Sequence, residues 1–170
     1  MAKSIASTVQ PIFPPSAHDH GVCLSDTVRR AEAAFETRGM RLTPLRRLVL
    51  EEVAGSHTAV GAYDILDRLS RKGDRRMAPI SIYRALDSLV AAGIVHRLES
   101  RNAFFACHAP HPGDRRQIVL ACETCSAVAE LAGDAVFEGV AAAAAAARFA
   151  VGRALVEVLG TCGACQAGRS

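Results

Sequence analysis

Apolar residues recur at helical spacing in the first half of the chain, in segments that glycine or proline separates. An N-cap at Thr43 followed by Pro44 is typical of a helix start, and Gly39, Gly55 and Gly73 are typical of helix ends. The pattern predicts helices over about residues 25–38, 43–55, 59–72 and 79–92.

After Gly93 the pattern changes to a near-alternation of apolar and polar residues, which is typical of β-strands. The two strands read IVHRLES and AFFACH, and they join at Arg101-Asn102, where asparagine tolerates the positive φ of a tight turn. Several helices followed by a hairpin predict a winged helix-turn-helix domain over residues 25–106. In such a domain the last helix enters the major groove of DNA, and the hairpin, or wing, contacts the backbone.

The last predicted helix carries candidate DNA contacts on its polar face. Tyr83 and Arg84 lie in its first turns, and Arg76 precedes it at a position suited to phosphate contacts. Ser81 and Arg46 complete the set of candidate DNA-binding residues. In an alternative interpretation Tyr83 belongs to the core and Arg84 is a solvated surface residue, because helix–hairpin units also occur in proteins that bind no DNA.

The remaining residues predict a second, smaller domain over residues 107–170. Strands are predicted at QIVLA, which leads into Cys122, at AVAELA, and at ALVEVLG, which leads into Cys162. The alanine-rich stretch 133–148 predicts a helix. The predicted fold is therefore α+β, with an N-terminal winged helix-turn-helix domain and a small C-terminal α/β domain. Residues 1–24 show no periodicity and predict a disordered tail.

Composition is that of a globular chain, since 50% of the 170 residues are hydrophobic. The most apolar stretch, 139–159, is mostly alanine and contains two arginines, so we expect no membrane span. The N-terminus lacks the apolar run of a signal peptide, which favours the cytoplasm. Thiols stay reduced in that compartment, so six cysteines favour metal or redox chemistry over disulfides.

Positive charge is concentrated in the first half of the chain. Residues 26–101 contain 14 Lys and Arg against 10 Asp and Glu, a net of +4, whereas residues 102–170 have a net of −1. The basic half is the candidate for binding a polyanion such as DNA, although an excess of this size also arises by chance. No serine–histidine–acid arrangement or phosphate loop indicates an enzyme, so we expect no small-molecule substrate.

Two Cys-x-x-Cys pairs, Cys122 with Cys125 and Cys162 with Cys165, are separated by 36 residues. Both pairs lie where a predicted strand runs into a turn, which suits knuckles whose backbone N–H groups point at thiolates. Four such sulfurs favour a tetrahedral structural zinc site. A redox centre instead needs one pair at a helix N-terminus in a thioredoxin-like βαβ unit, which the pattern does not predict.

A second group of possible ligands follows from the predicted hairpin. The predicted turn places His96 directly opposite Cys107, with Cβ atoms about 5 Å apart on one face of the wing. That separation suits two ligands of one zinc ion, and Glu130 with a loop histidine, His108 or His111, would complete a mixed set from both halves of the chain. A one-residue slip in register changes the pairing, so the inference depends on the turn.

Together these segments resemble the ferric uptake regulator family. The resemblance rests on RLTPLRRLVLEEVA, GAYDILDRL, SIYRALDSLVAAGIVHRLES and the two cysteine pairs, and it covers about residues 26–166. The chain is most similar to the zinc uptake regulator branch. The resemblance implies a homodimeric bacterial repressor of zinc uptake genes that binds double-stranded operator DNA, with residues 107–170 as the dimerisation domain.

The resemblance also implies two zinc ions in each chain. A structural ion is held by Cys122, Cys125, Cys162 and Cys165, and Tyr83 and Arg84 contact the operator. A regulatory ion at the hinge is held by a set that includes His96, Cys107 and Glu130. The branch often places a further sensory ligand seven residues before the first paired cysteine, where this chain has Arg115, which cannot bind metal. We expect His111 in its place, since strand alternation points His108 away.

Three alternatives remain open: an iron- or peroxide-responsive regulator of the same family, a thiol redox protein, and a zinc-stabilised adaptor without a nucleic-acid role. A thiolate in the regulatory set favours zinc over iron(II) or manganese, since soft sulfur suits zinc better. In the zinc-regulator hypothesis, metal at the hinge fixes the pose of the two domains. That pose sets the separation of the recognition helices in a dimer, which must match half-sites about 34 Å apart.

Overall fold

A computed structural model describes residues 13, 20–72, 77–107, 117–152 and 154–168. We call residues 20–107 the N-terminal part and residues 117–168 the C-terminal part. The elements in chain order are α1 (His20–Thr37), α2 (Pro44–Ala54), β1 (Val60–Gly61), α3 (Ala62–Lys72), α4 (Pro79–Ala91), β2 (Val95–Leu98), a 3-10 turn (Glu99–Arg101), β3 (Ala103–Ala106), β4 (Gln117–Cys122), β5 (Val128–Ala132), α5 (Asp134–Ala146), β6 (Val156–Gly160) and α6 (Gly163–Ala167).

Local sequence signals set the bounds of α2 and α4. The Thr43 side chain accepts a hydrogen bond from the Arg46 N–H and caps α2, and Pro44 occupies the first turn. Pro79 begins α4, and Gly93 follows it with φ at 74°, a conformation that favours glycine. The predicted starts of both helices are therefore confirmed.

Two predicted boundaries in the N-terminal part are wrong. Helix α1 begins at His20 instead of Ser25, so the predicted tail of residues 1–24 overlaps its first five residues. Leu24 packs against the core, which explains why the helix extends this far. Helix α3 begins at Ala62, three residues later than predicted, because Val60 pairs with Phe104 in strand β1.

The register of the wing also differs from the prediction. His96 stands opposite Phe105, so its predicted pairing with Cys107 is wrong. The 3-10 turn and Asn102, with φ at 48°, make a four-residue connection where a two-residue turn was predicted. The pairing is thereby shifted by two residues, and a shift of two leaves every side chain on its original face. His96 and Cys107 consequently still share one face of the wing.

The N-terminal part surrounds a single apolar core. Helices α1 to α4 and the sheet β1-β3-β2 supply it, and its largest fully buried side chains include Phe35, Leu50, Ile65 and Leu86. The helices followed by a wing confirm the predicted winged-helix arrangement. Burial of aliphatic and aromatic side chains of this size contributes about 1.5–3 kcal/mol each, so this core accounts for much of the stability of the N-terminal part.

The C-terminal part is built on the sheet β5-β4-β6. Strand β4 runs antiparallel to β5 and parallel to β6, and the helix predicted over 133–148 is α5. A second buried cluster joins the two parts: it consists of Leu98, Phe105, Val119, Ala121 and Val128. The two parts therefore pack directly against each other. Within the described ranges, every helix is too short or too polar to cross a membrane.

Candidate metal centres and nucleic-acid interface

The two cysteine pairs meet at one edge of the C-terminal sheet. The first pair begins at the end of β4 and the second follows β6, and these strands are parallel neighbours. Cys122 is in register with Gly160, so strands β4 and β6 end side by side, at the same end of the sheet. The Sγ atoms of all four paired cysteines lie within 4.8 Å of one another.

The spacing of these sulfurs fits a tetrahedral zinc ion. The Sγ atoms of Cys125 and Cys162 are 3.7 Å apart. A tetrahedron with Zn–S bonds of about 2.3 Å has edges of about 3.8 Å, which matches this distance. All four cysteines are free thiols, so the arrangement of sulfurs fits a metal site and no disulfide links the pairs.

Backbone N–H groups favour negative charge at one of these sulfurs. The pKa of Cys122 is lowered to about 6, mainly by the hydrogen bond that the Cys162 N–H donates to its sulfur, and burial opposes the shift. The pKa of Cys165 is raised to about 12, first by its hydrogen bond with the Cys125 thiol and then by that with Cys162. The Ala127 N–H lowers the pKa of Cys125, but burial and contact with Cys122 outweigh it. A cation is therefore needed for all four to be thiolates together.

A second ligand group lies between the two parts of the fold. His96 is on β2, Cys107 follows β3, and Glu130 is on β5, and their ligand atoms lie within 4.8 Å of one another. His96 Nε2 is 3.5 Å from Glu130 Oε1, close to the edge of about 3.3 Å expected around zinc bound at 2.0–2.1 Å. We call these three residues the hinge site.

Neighbouring groups contact the His96 ring and the backbone of Cys107 in the hinge site. The His96 ring stacks on Phe105, with centroids 5.6 Å apart, and the Cys107 N–H donates to the Ile94 carbonyl at 3.0 Å. Arg30 of α1 donates a hydrogen bond to the Cys107 carbonyl. This role of Arg30 was missed by sequence reasoning, because no local pattern links two residues 77 positions apart.

Three residues that matter to the predictions lie outside the described residues: His108, His111 and Arg76. The choice of His111 as the remaining hinge ligand and the phosphate contact assigned to Arg76 therefore stay predictions.

The remaining candidate DNA contacts lie around the start of α4. Arg84 is exposed, and Tyr83 is half-buried, with its ring edge-on to Tyr63 at 6.4 Å between centroids. Arg46 lies over the Phe35 ring at 5.2 Å. One groove is lined by polar and apolar residues of α2 and α4: Thr43, Leu45, Arg46, Ser81, Arg84, Ala85, Asp87 and Ser88.

The groove brings Arg46, Ser81 and Arg84 together on one surface. Tyr83 is neither fully buried nor fully exposed, so it combines packing with access to solvent. The groove also contains Asp87, whose negative charge opposes contact with phosphate.

Comparison with known proteins gives a consistent result. The model of the ferric uptake regulator family matches residues 37–158. A zinc uptake regulation protein of Escherichia coli (strain K12) is 34% identical over 140 residues, which cover 82% of this chain and 81% of that protein.

Two solved structures resemble the whole described fold. A zinc uptake regulator complexed with zinc and DNA has a TM-score of 0.77 and 32% identity, covering 90% of this chain and 99% of that one. The holo structure of XcZur has a TM-score of 0.73 and 41% identity, covering 85% and 99%. The apo structure of XcZur covers the same shares at 40% identity, but its TM-score is 0.51. As a whole, the chain therefore superposes better on the holo form than on the apo form.

Proposed function

The chain belongs to the ferric uptake regulator family, and on that premise we propose that it is a zinc-responsive, DNA-binding repressor of zinc uptake genes. One observation carries the proposal: the hinge site takes His96 and Cys107 from the N-terminal part and Glu130 from the C-terminal part. A ligand set divided in this way couples metal binding to the relative position of the two parts. Family membership also makes the chain a regulator and not an enzyme.

We assign two zinc ions to each chain. The four paired cysteines form the structural site, since four thiolates make a closed tetrahedral shell. The hinge site is regulatory, and its donors are one imidazole, one thiolate and one carboxylate, with His111 as the expected fourth ligand. The Cys107 thiolate favours zinc over iron(II) or manganese, which argues against an iron-responsive regulator. His96 and Cys107 of the wing and Glu130 of β5 would hold the ion, which would supply a link between these two elements.

Recognition of DNA is assigned to α4 and the residues beside it. Arg84 would donate to the acceptors of a guanine in the major groove, while Tyr83 and Ser81 would contact the bases or backbone nearby. Arg46 and Arg76 would hold phosphates and fix the register of the helix on the duplex.

We propose a homodimer formed by the C-terminal part. Strand β6 lies at an edge of its sheet, where it carries the exposed apolar side chains Val158 and Leu159. Helix α5 exposes Val136 and Val140, and the segment after it exposes 68% of Phe149. Exposed apolar side chains next to an open sheet edge are typical of an interface between subunits. A two-fold dimer would present two copies of α4 to two half-sites.

The proposed mechanism is a linkage between the hinge site and the DNA-binding surface. His96 and Cys107 move with the wing, whose strands continue directly from α4, whereas Glu130 is fixed in the C-terminal part. Holding one ion with these ligands would restrict the orientation of α4 relative to the dimer. DNA that fits this orientation must in turn raise the affinity for zinc, because such coupling is reciprocal. Reduced cysteines and a DNA partner favour the cytoplasm as the site of action.

The proposal is tested by DNA binding of the full-length, reduced protein with and without added zinc. The probe is the promoter of a zinc transporter gene, and a scrambled duplex of the same length is the control. We expect zinc to strengthen promoter binding by at least about tenfold, with little effect on the scrambled duplex. A protein that purifies without zinc, or that binds both duplexes equally in every zinc concentration, would rule the proposal out.

A further inference from the structure

Besides the hinge site and the buried cluster that contains Leu98 and Phe105, the tip of the wing also contacts the C-terminal part. Glu157, the second residue of β6, accepts hydrogen bonds from the backbone N–H groups of Glu99 at 2.6 Å and Ser100 at 2.9 Å. Both donors lie at the start of the 3-10 turn, where N–H groups lack partners within the turn itself. One carboxylate therefore binds two donors at the tip of the wing.

Arg101, in the same turn, contacts the loop of the first cysteine pair. Its guanidinium donates to the Cys122 carbonyl at 3.2 Å and to Ser126 Oγ at 3.4 Å. The tip of the wing is thus bound both to β6 and to the loop that follows β4. We call the Glu157 and Arg101 hydrogen bonds together the wing-tip contact.

Glu157 is ionised in this contact. Burial alone would raise its pKa, but the hydrogen bonds from Ser100 and Glu99 outweigh burial, and the pKa is lowered overall. The bonds are therefore charge-assisted, and they are stronger than bonds between neutral groups. The backbone of Glu157 is fixed, because the parallel pairing of β6 with β4 holds it opposite Val119. A residue in an exposed loop would be a less fixed acceptor.

The distance between the hinge site and the wing-tip contact determines how far the wing can rotate on the C-terminal part. His96 and the first residue of the turn are three residues apart on an extended strand, which is about 10 Å. A wing attached through the hinge site alone can still rotate about that point. A further attachment about 10 Å away, added to the packing of Leu98 and Phe105 on the C-terminal sheet, restricts this rotation, so that closing the hinge site gives α4 a narrower range of directions.

We propose that Glu157 is a positioning residue for DNA recognition, because it holds the tip of the wing on the C-terminal sheet and so orients α4 when the hinge site is closed. The inference rests on the proposed function, since it assigns a further residue to the same regulatory response. Glu157 contacts neither of the two metal centres nor the α4 groove. Its effect is therefore exerted through the pose of the wing.

The test is the substitution Glu157→Gln in the full-length protein. This change keeps the shape of the side chain and removes one negative charge, so simple electrostatics predicts slightly tighter binding to DNA. Loss of the wing-tip contact instead predicts weaker binding of Glu157→Gln to DNA. At saturating zinc we expect promoter binding to weaken by roughly tenfold, the size typical of lost hydrogen bonds to a charged group. Zinc content should remain that of the parent.

A matched control removes the same charge elsewhere in the C-terminal part. Glu138 is exposed on α5, on the side opposite Val136 and Val140, and Glu138→Gln should bind the promoter as the parent does. If Glu157→Gln binds as tightly as the parent, the positioning role is wrong while the proposed function stands. A parent that gains no affinity from zinc would instead overturn the proposed function.

Hydrogen exchange gives a second measurement, whose deciding outcome is read from the parent protein. The amides of Glu99 and Ser100 should exchange slowly in the zinc-loaded protein and faster after zinc is removed from the hinge site. In Glu157→Gln they should exchange fast at every zinc concentration. Fast exchange of both amides in the zinc-loaded parent would show that the wing-tip contact does not form, whatever the DNA-binding result.

Discussion

The two metal centres differ in how their ligands are distributed over the fold. All four sulfurs of the four-cysteine site come from one end of the C-terminal sheet, where the parallel strands β4 and β6 end side by side. The hinge site draws His96 and Cys107 from the wing and Glu130 from β5. One centre is internal to a single part, and the other lies between two parts.

This difference separates a stabilising role from a signalling role. Metal held within one part adds its binding free energy to the folding of that part, whether or not the rest of the chain moves. Metal held between two parts favours one of their relative positions, so its binding free energy goes into a conformational equilibrium. In the proposed function zinc would thus serve both purposes in one chain, and the distribution of ligands would decide which purpose each ion serves.

The largest effect is expected from Cys122→Ser. Structural zinc sites contribute about 10–16 kcal/mol of apparent binding free energy, far more than a small sheet gains from packing alone. We expect the variant to lose the tightly held zinc and to unfold its C-terminal part. Zinc analysis of protein purified under reducing conditions, together with circular dichroism, measures both losses.

Cys23→Ser is the matched control for this substitution, because Cys23 lies on α1 and belongs to neither metal centre. It should keep the zinc content and the thermal stability of the parent. A Cys122→Ser protein that retains all its zinc and melts like the parent would contradict the structural role of the four-cysteine site.

The comparison between the two centres is sharpened most directly by Cys107→Ser. The four paired cysteines remain, so the fold, the dimer and the tight zinc should survive. The hinge site loses its only sulfur. Because removing a group that merely orients a metal ligand already lowers metal affinity by up to about 100-fold, removing the ligand itself should lower the zinc affinity by more than that. The variant should melt like the parent but bind promoter DNA poorly at zinc concentrations that saturate the parent.

Normal repression by Cys107→Ser, with a normal gain of DNA affinity on zinc addition, would show that the hinge site is not the sensor. Two histidine variants identify the remaining ligand in the same assay. His111→Ala should behave like Cys107→Ser, whereas His108→Ala should behave like the parent.

A smaller effect is expected from substitutions in the proposed DNA-binding surface around α4. Arg84→Ala should cost about 1–3 kcal/mol of promoter binding if Arg84 forms a bidentate pair with guanine. The loss should be confined to the promoter. Arg76→Ala should weaken promoter and scrambled DNA alike and reduce the salt dependence of binding. Two variants with unchanged promoter affinity and intact dimers would show that α4 is not the reading helix.

Features encoded by neighbouring residues were predictable from the sequence. The cap at Thr43, the start of α4 at Pro79 and the spacing within each cysteine pair each depend on a few adjacent positions. The hinge site was predicted through a wrong pairing, since His96 stands opposite Phe105. His96 and Cys107 nevertheless share a face, because a shift of two residues preserves the faces of a strand.

Features that depend on distant residues were not predictable. Strand β1 is two residues long and is defined by its pairing with β3, more than 40 residues later, so it has no periodicity to detect. The hydrogen bonds of Glu157 to the wing span 57 and 58 residues. Nothing in the local sequence distinguishes Glu157 from any other glutamate on a half-exposed strand.

The smallest expected effect concerns pH, and it separates the wing-tip contact from the metal centres. The pKa of Glu157 is lowered in the folded protein, so its contribution is fully present above the ordinary glutamate pKa and is lost only as pH falls through the lowered value. From about pH 6 to about pH 8 Glu157 therefore stays ionised. Zinc ligands behave differently, because protons compete with the metal for imidazole and thiolate. At saturating zinc, the ratio of the promoter affinities of the parent and of Glu157→Gln should stay constant over this pH range. The zinc concentration needed for half-maximal promoter binding should instead rise towards low pH for both proteins. Fluorescence anisotropy titrations at several pH values measure both quantities, and a ratio that collapses to one near pH 6 would mean that Glu157 is protonated there and that the charge-assisted contact is absent.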